Sequence, residues 1–451
     1  MERTKLMSKY KQVGIIIGLF INAVLASAVL RVIFGIFQPI LIDNFENDSV
    51  TMVGTLTISV NEICGIVGGV IVDKIGKSRA MFIGGILCFL GFFISAFSTN
   101  IFQLAVGHGF LLPIGIILAY HARMLCLNEF FGNRFLLTSN LVTLGSPVGV
   151  MSSPTFAEIL ILSYGFQGAY LILSGIMFHI CVSATLCRTK HADIGIPTYN
   201  LINNSTAEAE IPNGFCDTWF TTVSESIKFY ELKETGGYFS FIIGFALALS
   251  GYLTSLIYLS PFAIEENFTP EVAATFVSVL GFSDLVARLM ILFCDMYYTM
   301  EWALISLFLY SLGVCSILSI LVFISPTKIV FIMYAFGTGF GGAILLLGYP
   351  VIVRNLCKHR NLGVAIGWGL TLLGLCSLMV GFIYSWLCSY FGNYRFGFLC
   401  GAILYATALL IISSSSSLRQ MNCLLFHLKT WINRSFTLWQ SETYDENAIK
   451  H

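Results

Sequence analysis

Asp284 and Arg288 stand four residues apart inside an otherwise apolar run, Ala273–Cys294. On a helix that spacing puts both side chains on one face, where they can pair. A charged side chain inside a bilayer costs roughly 2.5–3.5 kcal/mol on insertion scales, so each must face a partner or a watery cavity. Protonating Asp284 releases the Arg288 guanidinium, whose planar fork suits a carboxylate, and a proton and an anion can then cross together without net charge. The competing reading is a permanent ion pair that only fixes helix packing.

Further polar residues interrupt apolar runs. Glu62 faces either a central cavity or a neighbouring helix. Arg31, near the middle of the first run, needs a counter-charge, and within the runs Glu62 and Asp284 are the available acids, Glu158 lying further out. The expectation is that Arg31 joins Arg288 in an anion site; the alternative is an Arg31–Glu62 pair serving packing alone. His108 can relay a proton or sit neutral against helix backbone, and Phe336 and Phe340, four apart, line the path or face lipid. No nucleophile–base set, metal-ligand cluster or phosphate loop occurs in the polar segments, so neither an enzyme nor a cofactor is expected. The 13 cysteines are scattered without a disulfide or zinc pattern.

These residues must be positioned by membrane helices. The chain is 57% hydrophobic and 11% charged, against about 25% charged in soluble domains, so lipid is its main solvent. A span needs roughly 20 apolar residues, and twelve such runs can be read: Val13–Ile40, Met52–Val72, Met81–Phe97, Ile101–Tyr120, Phe135–Leu162, Gly168–Leu186, Tyr238–Tyr258, Ala273–Cys294, Ala303–Ile324, Ile329–Val353, Leu362–Leu387 and Phe396–Ile412. With no water to satisfy the backbone, each must be helical. Placing the N-terminus inside puts 20 of the 24 basic residues on the cytoplasmic side, Arg123 and Arg354 among them, with Lys328 and Arg395 outside and Arg31 and Arg288 within spans. Asp43, Glu46, Asp48, Glu265, Glu266 and Glu271 fall outside. A cleaved signal peptide ending near Ala26-Ser27-Ala28 fits less well, because the apolar stretch continues to Ile40 and its removal leaves an odd span count.

The expected organisation is a cytoplasmic N-terminus (1–12), a six-helix bundle (13–187), a cytoplasmic loop (188–237), a second six-helix bundle (238–416) and a cytoplasmic tail (417–451). Within the loop, Asn200–Asn213 reads as a flexible linker, while Phe220, Val223, Ile227 and Tyr230 give Trp219–Tyr230 helical spacing, an amphipathic segment for the membrane surface. Two outer sequons, Asn47-Asp48-Ser49 and Asn267-Phe268-Thr269, are glycan acceptors or chance matches. The halves look like degenerate copies: one offset of 222 positions carries Asp73 onto Asp295 and Glu62 onto Asp284. Six-helix halves around a midplane site are a transporter plan.

Gly69-Val70-Ile71-Val72-Asp73-Lys74-Ile75-Gly76-Lys77-Ser78-Arg79, between the second and third spans, resembles the Gly-x-x-x-Asp-Arg-x-Gly-Arg-Arg loop of the major facilitator superfamily. Gly69 would let a neighbouring helix approach closely, and Asp73 would pair with basic groups or a helix N-terminus across the half interface. Lys74, Gly76, Lys77, Arg79 and Asp295 complete the expected conformational gate.

Three further stretches are similar to monocarboxylate transporters: Phe130-Phe131-Gly132-Asn133-Arg134 through Gly145-Ser146-Pro147-Val148-Gly149 to Tyr164-Gly165-Phe166-Gln167-Gly168; Gly281-Phe282-Ser283-Asp284-Leu285-Val286-Ala287-Arg288; and Gly392-Asn393-Tyr394. The resemblance implies an all-α membrane protein of twelve helices in two pseudo-symmetric halves. It further implies that Asp284 and Arg288 handle the proton and the substrate carboxylate, that the protein sits in the plasma membrane, and that a single-span immunoglobulin-type protein can accompany it. No nucleic-acid partner is expected.

The chain also departs from that family. It has Lys11-Gln12-Val13-Gly14-Ile15 where an Asp-Gly-Gly-Trp-Gly-Trp type stretch is usual, no lysine after Phe37-Gln38-Pro39-Ile40, and Gln167 for an arginine. A divergent solute is therefore expected, with an uncoupled facilitator, or a sensor or channel without carrier turnover, as alternatives.

Overall fold

The computed structural model describes residues 2–30, 34–45, 50–188, 232, 235–297, 303–357 and 362–415. Arg31, the Asn47-Asp48-Ser49 sequon, the Asn200–Asn213 linker, the Trp219–Tyr230 segment and the tail from 417 onward lie outside the described residues.

Among the described residues, ten α-helices form the N-terminal half: α1 (Glu2–Ala28), α2 (Phe34–Phe45), α3 (Val50–Ile63), α4 (Gly65–Ile75), α5 (Lys77–Ala96), α6 (Ile101–Leu104), α7 (Leu112–Phe131), α8 (Phe135–Thr143), α9 (Gly145–Met177) and α10 (His179–Leu186). Six form the C-terminal half: α11 (Tyr238–Glu265), α12 (Pro270–Tyr297), α13 (Leu304–Ile324), α14 (Lys328–Leu356), α15 (Leu362–Phe391) and α16 (Arg395–Ser414). Eight segments are long and apolar enough to cross a bilayer, and the bent pairs α3–α4 and the two parts of α11 bring the number to ten. One of the eight, Ile101–Leu186, contains two breaks. The first is the short 3-10 turn Gly132–Arg134, and the second is at Gly165, whose φ of 66° only glycine adopts freely. At 86 residues that segment is long enough for three passes, which would bring the spans among the described residues to twelve.

The outside of the bundle is apolar: Leu162, Phe382, Phe102 and Ile329 are all more than 70% exposed, a surface made for lipid rather than water. Lipid gives helices no hydrophobic reason to associate, so small residues and polar bridges do the joining. A Cβ on Gly84 would stand 2.7 Å from the Gly115 carbonyl oxygen, so α5 and α7 touch backbone to backbone. Ser183 donates to Gly18 O (2.8 Å) across α10 and α1, and Ser316 to Ala402 O (3.0 Å) across α13 and α16.

Several expected boundaries move. The described residues of the first span fall in α1 and α2, and α1 begins at Glu2. The fourth span, expected to stop at Tyr120, enters through a π-helix (Ala105–Leu111) and continues to Phe131. Arg123 is thus not in a connection but within α7, only 5% exposed.

Candidate functional site

Asp284 and Arg288 lie near the middle of the 28-residue α12. Arg288 Nε donates to Asp284 Oδ1 at 2.7 Å, and the two side chains are only 2% and 6% exposed. The pair belongs to the half interface, because Asn140 of α8 donates through Nδ2 to Arg288 O at 2.9 Å. The neighbouring Ser283 sets the seating of α12 on α14: a Cβ at Gly339 would lie 2.1 Å from Ser283 Oγ, so only glycine admits that approach. A buried ion pair is costly to break from one side, about 3–5 kcal/mol, unless a proton or an external anion replaces the lost partner.

The halves are joined over one end of the bundle, here called the Asp73 end. Gly69 and Gly363 bring α4 and α15 into backbone contact; a Cβ on Gly69 would stand 2.3 Å from Gly363 O. Asp73 Oδ2 accepts from Val364 N at 3.3 Å, in the first turn of α15, where the helix dipole favours an anion. The 50° bend between α3 and α4 frees a carbonyl and an N–H from helical bonding. One hydroxyl from the opposite half takes both: Thr371 Oγ1 donates to Ile63 O (2.9 Å) and accepts from Ile66 N (3.0 Å). Tyr238 and Tyr349, from α11 and α14, donate to Ala365 O and Ile366 O and hold the first turns of α15.

A second clasp was not legible in the sequence. Arg354, counted among the basic residues of an inner loop, is the last basic residue of α14 and 5% exposed. Its Nε donates to Asn128 Oδ1 (2.6 Å) on α7 and its Nη2 to Gly132 O (2.5 Å), with the guanidinium 4.8 Å over the Phe135 ring. The other residues expected at the gate divide by location. Lys77 is buried, ion-paired with Glu129 and 5.0 Å over the Phe130 ring, within the N-terminal half. Lys74 and Arg79 are exposed, Asp295 is half-buried, and Gly76 (φ 88°) makes the α4–α5 turn.

The other candidates are dispersed. Glu62 is half-buried on α3; its Oε1 accepts from Asn61 Nδ2 at 3.2 Å, and Gly374 of α15 lets it approach closely. His108 is fully buried in the π-helix, with Phe34, Phe92 and Tyr170 rings 4.8, 5.5 and 5.9 Å away; neither ring nitrogen has a hydrogen-bond partner among the described residues. Phe336, 42% exposed, continues the exposed apolar stripe Ile329, Ile332, Met333 on α14, and Phe340 is half-buried one turn further on.

Compared with known proteins, residues 19–365 match the family model of the major facilitator superfamily. Monocarboxylate transporter 2 of Meriones unguiculatus is 26% identical over 341 residues, covering 74% of this chain and 69% of that protein. Human monocarboxylate transporter 6 is 24% identical over 249 residues, 54% of this chain and 48% of that one. Among solved structures, the fucose:proton symporter of E. coli superposes with a TM-score of 0.63 at 14% identity, over 89% of this chain and 97% of that chain. The human organic anion transporter MFSD10 gives 0.62 at 12%, over 90% and 99%.

Proposed function

The chain belongs to the major facilitator superfamily, and from that premise we propose that it is a divergent transporter of monocarboxylate type, carrying a small organic anion together with a proton by alternating access. The observation that carries this reading is the buried Asp284–Arg288 pair, bonded at 2.7 Å near the middle of α12 and abutted by the opposite half through Asn140.

The cycle follows from the pair's chemistry. At rest, carboxylate and guanidinium neutralise each other and the site is uncharged. A proton arriving at Asp284 removes its charge, and Arg288 is then a lone buried cation that recruits the solute's carboxylate. The loaded site is again neutral, so the halves can rock around it without moving net charge through the bilayer. Opening at the Asp73 end requires separating Asp73 from Val364, Thr371 from the α3–α4 bend and Arg354 from Asn128. Those contacts hold one state rather than touch the solute.

The distribution of Lys and Arg supports a cytoplasmic Asp73 end with both termini on that side, and the similarity to monocarboxylate transporters favours the plasma membrane and leaves a place for a single-span accessory protein. Counterflow in reconstituted vesicles tests the reading, with short carboxylates, ketoacids, aromatic amino acids and polyols as candidates. Saturable counterflow of a carboxylate, faster at lower outside pH, is the expected result. Counterflow of polyols alone, indifferent to pH, would make the protein an uncoupled facilitator, and ion currents at channel rates would remove carrier turnover altogether.

A further inference from the structure

Arg123 is a buried cation that the Asp284–Arg288 pair does not account for. Its guanidinium carries five N–H donors. In the structure Nη1 donates to Asn22 Oδ1 at 3.1 Å, and the group lies 5.2 Å over the Tyr120 ring. Among the described residues no carboxylate reaches it within ion-pair distance, and Nε is buried without an acceptor. Asn22, on α1 and fully buried, has its own surplus donor, since Nδ2 is also without a partner. The site therefore has a positive charge and at least two N–H groups in excess, in a place where an uncompensated charge costs several kcal/mol. An anion's oxygen atoms would supply what both groups lack.

The location fits the transport path. Tyr120 and Arg123 are three apart on α7 and share one helix face. Tyr120 is partly exposed, and α7 packs against α3, which carries Glu62, and against α15 of the opposite half. Arg123 stands eight residues before the end of α7 at Phe131, and Arg288 nine before the end of α12 at Tyr297. At 1.5 Å per residue these are about 12 and 14 Å, so each half offers one arginine at similar depth.

We propose that Arg123, with Asn22 and Tyr120, is an anion-binding site of the N-terminal half that takes the carboxylate of the transported solute. This rests on the reading of the solute as an organic anion. In it Arg288 and Arg123 hold the solute from the two halves or in succession.

The test is thermal stabilisation of the purified full-length chain by sodium pyruvate, butyrate and phenylacetate, with sodium chloride as the ionic-strength control. Asn22→Asp is the decisive variant, because it gives Arg123 a built-in carboxylate at the same position. We expect it to keep or raise the unliganded melting temperature and to abolish the carboxylate-induced shift seen in the wild type. Arg123→Lys keeps the charge but loses the fork, and should weaken binding by about tenfold or more at an unchanged unliganded melting temperature. Wild-type affinity in both variants, with Arg288→Ala abolishing the shift, overturns the Arg123 site and leaves the anion-carrier reading standing. If none of the three carboxylates stabilises the wild-type chain beyond chloride, that reading fails and the Arg123 site with it.

Discussion

Replacing Arg354 by alanine removes the clasp between α14 and the end of α7. Two hydrogen bonds from a charged donor are lost, to Asn128 Oδ1 and to Gly132 O, together with the stacking over Phe135. Such bonds contribute about 1.5–3 kcal/mol each, so the state closed at the Asp73 end loses about 3–6 kcal/mol relative to the open one, where water serves the same groups. At about 1.4 kcal/mol per factor of ten, the closed-to-open ratio falls by about two to four orders of magnitude. Spin labels at Thr185→Cys and Ser414→Cys, both exposed near that end of α10 and α16, read the change as an interhalf distance in a background with the native cysteines replaced. Arg354→Ala should convert a short distance distribution into one dominated by a longer component. An unchanged distribution in the folded variant would refute the idea that this arginine holds the halves together.

Two further outcomes follow from the same contacts. Gly69→Val places a Cβ 2.3 Å from Gly363 O where ordinary contact begins at 3.4 Å, so α4 and α15 must part by more than 1 Å; the same spin-label pair should lengthen and uptake should slow, whereas wild-type distances and uptake would show that the glycine contact is incidental. His108→Phe exchanges two unpartnered ring nitrogens for a third phenyl ring beside Phe34 and Phe92. Leaving a buried polar group unsatisfied costs about 1–3 kcal/mol, so the variant should melt higher and transport normally, and loss of pH-dependent uptake in it would restore His108 as a relay.

The amino-acid sequence made much of this visible, for identifiable reasons. An acid and a base four apart in an apolar run stand out because lipid tolerates so few charges, and the structure bonds Asp284 to Arg288. The Gly69–Arg79 stretch is legible because a glycine, an aspartate and a basic turn sit at fixed spacing. Arg123 and Arg354 escaped because charge counting assigns any basic residue near the end of an apolar run to a loop. Whether it is buried depends on which helix face it occupies and what lies opposite, here Asn22 and Asn128. Those asparagines carry no charge to draw notice. The bend at Cys64 and the π-helix at His108 were equally silent, since each depends on a partner distant in sequence: Thr371 relieves the first, and Thr57 Oγ1, donating to His108 O at 3.1 Å, braces the second. Phe336 shows the converse, a helical spacing that fits a path-lining residue and a lipid-facing one equally well.

The central claim is that the solute's negative charge crosses with a proton held by Asp284. It is tested most directly by the pH inside proteoliposomes, followed with a trapped dye when the carboxylate found by counterflow is added outside. Wild-type protein should acidify the lumen in proportion to anion uptake. Asp284→Asn, folded and able to bind the carboxylate, should give no acidification. Acidification at the wild-type rate by Asp284→Asn, or carboxylate uptake by the wild type with no proton movement at all, would contradict the account.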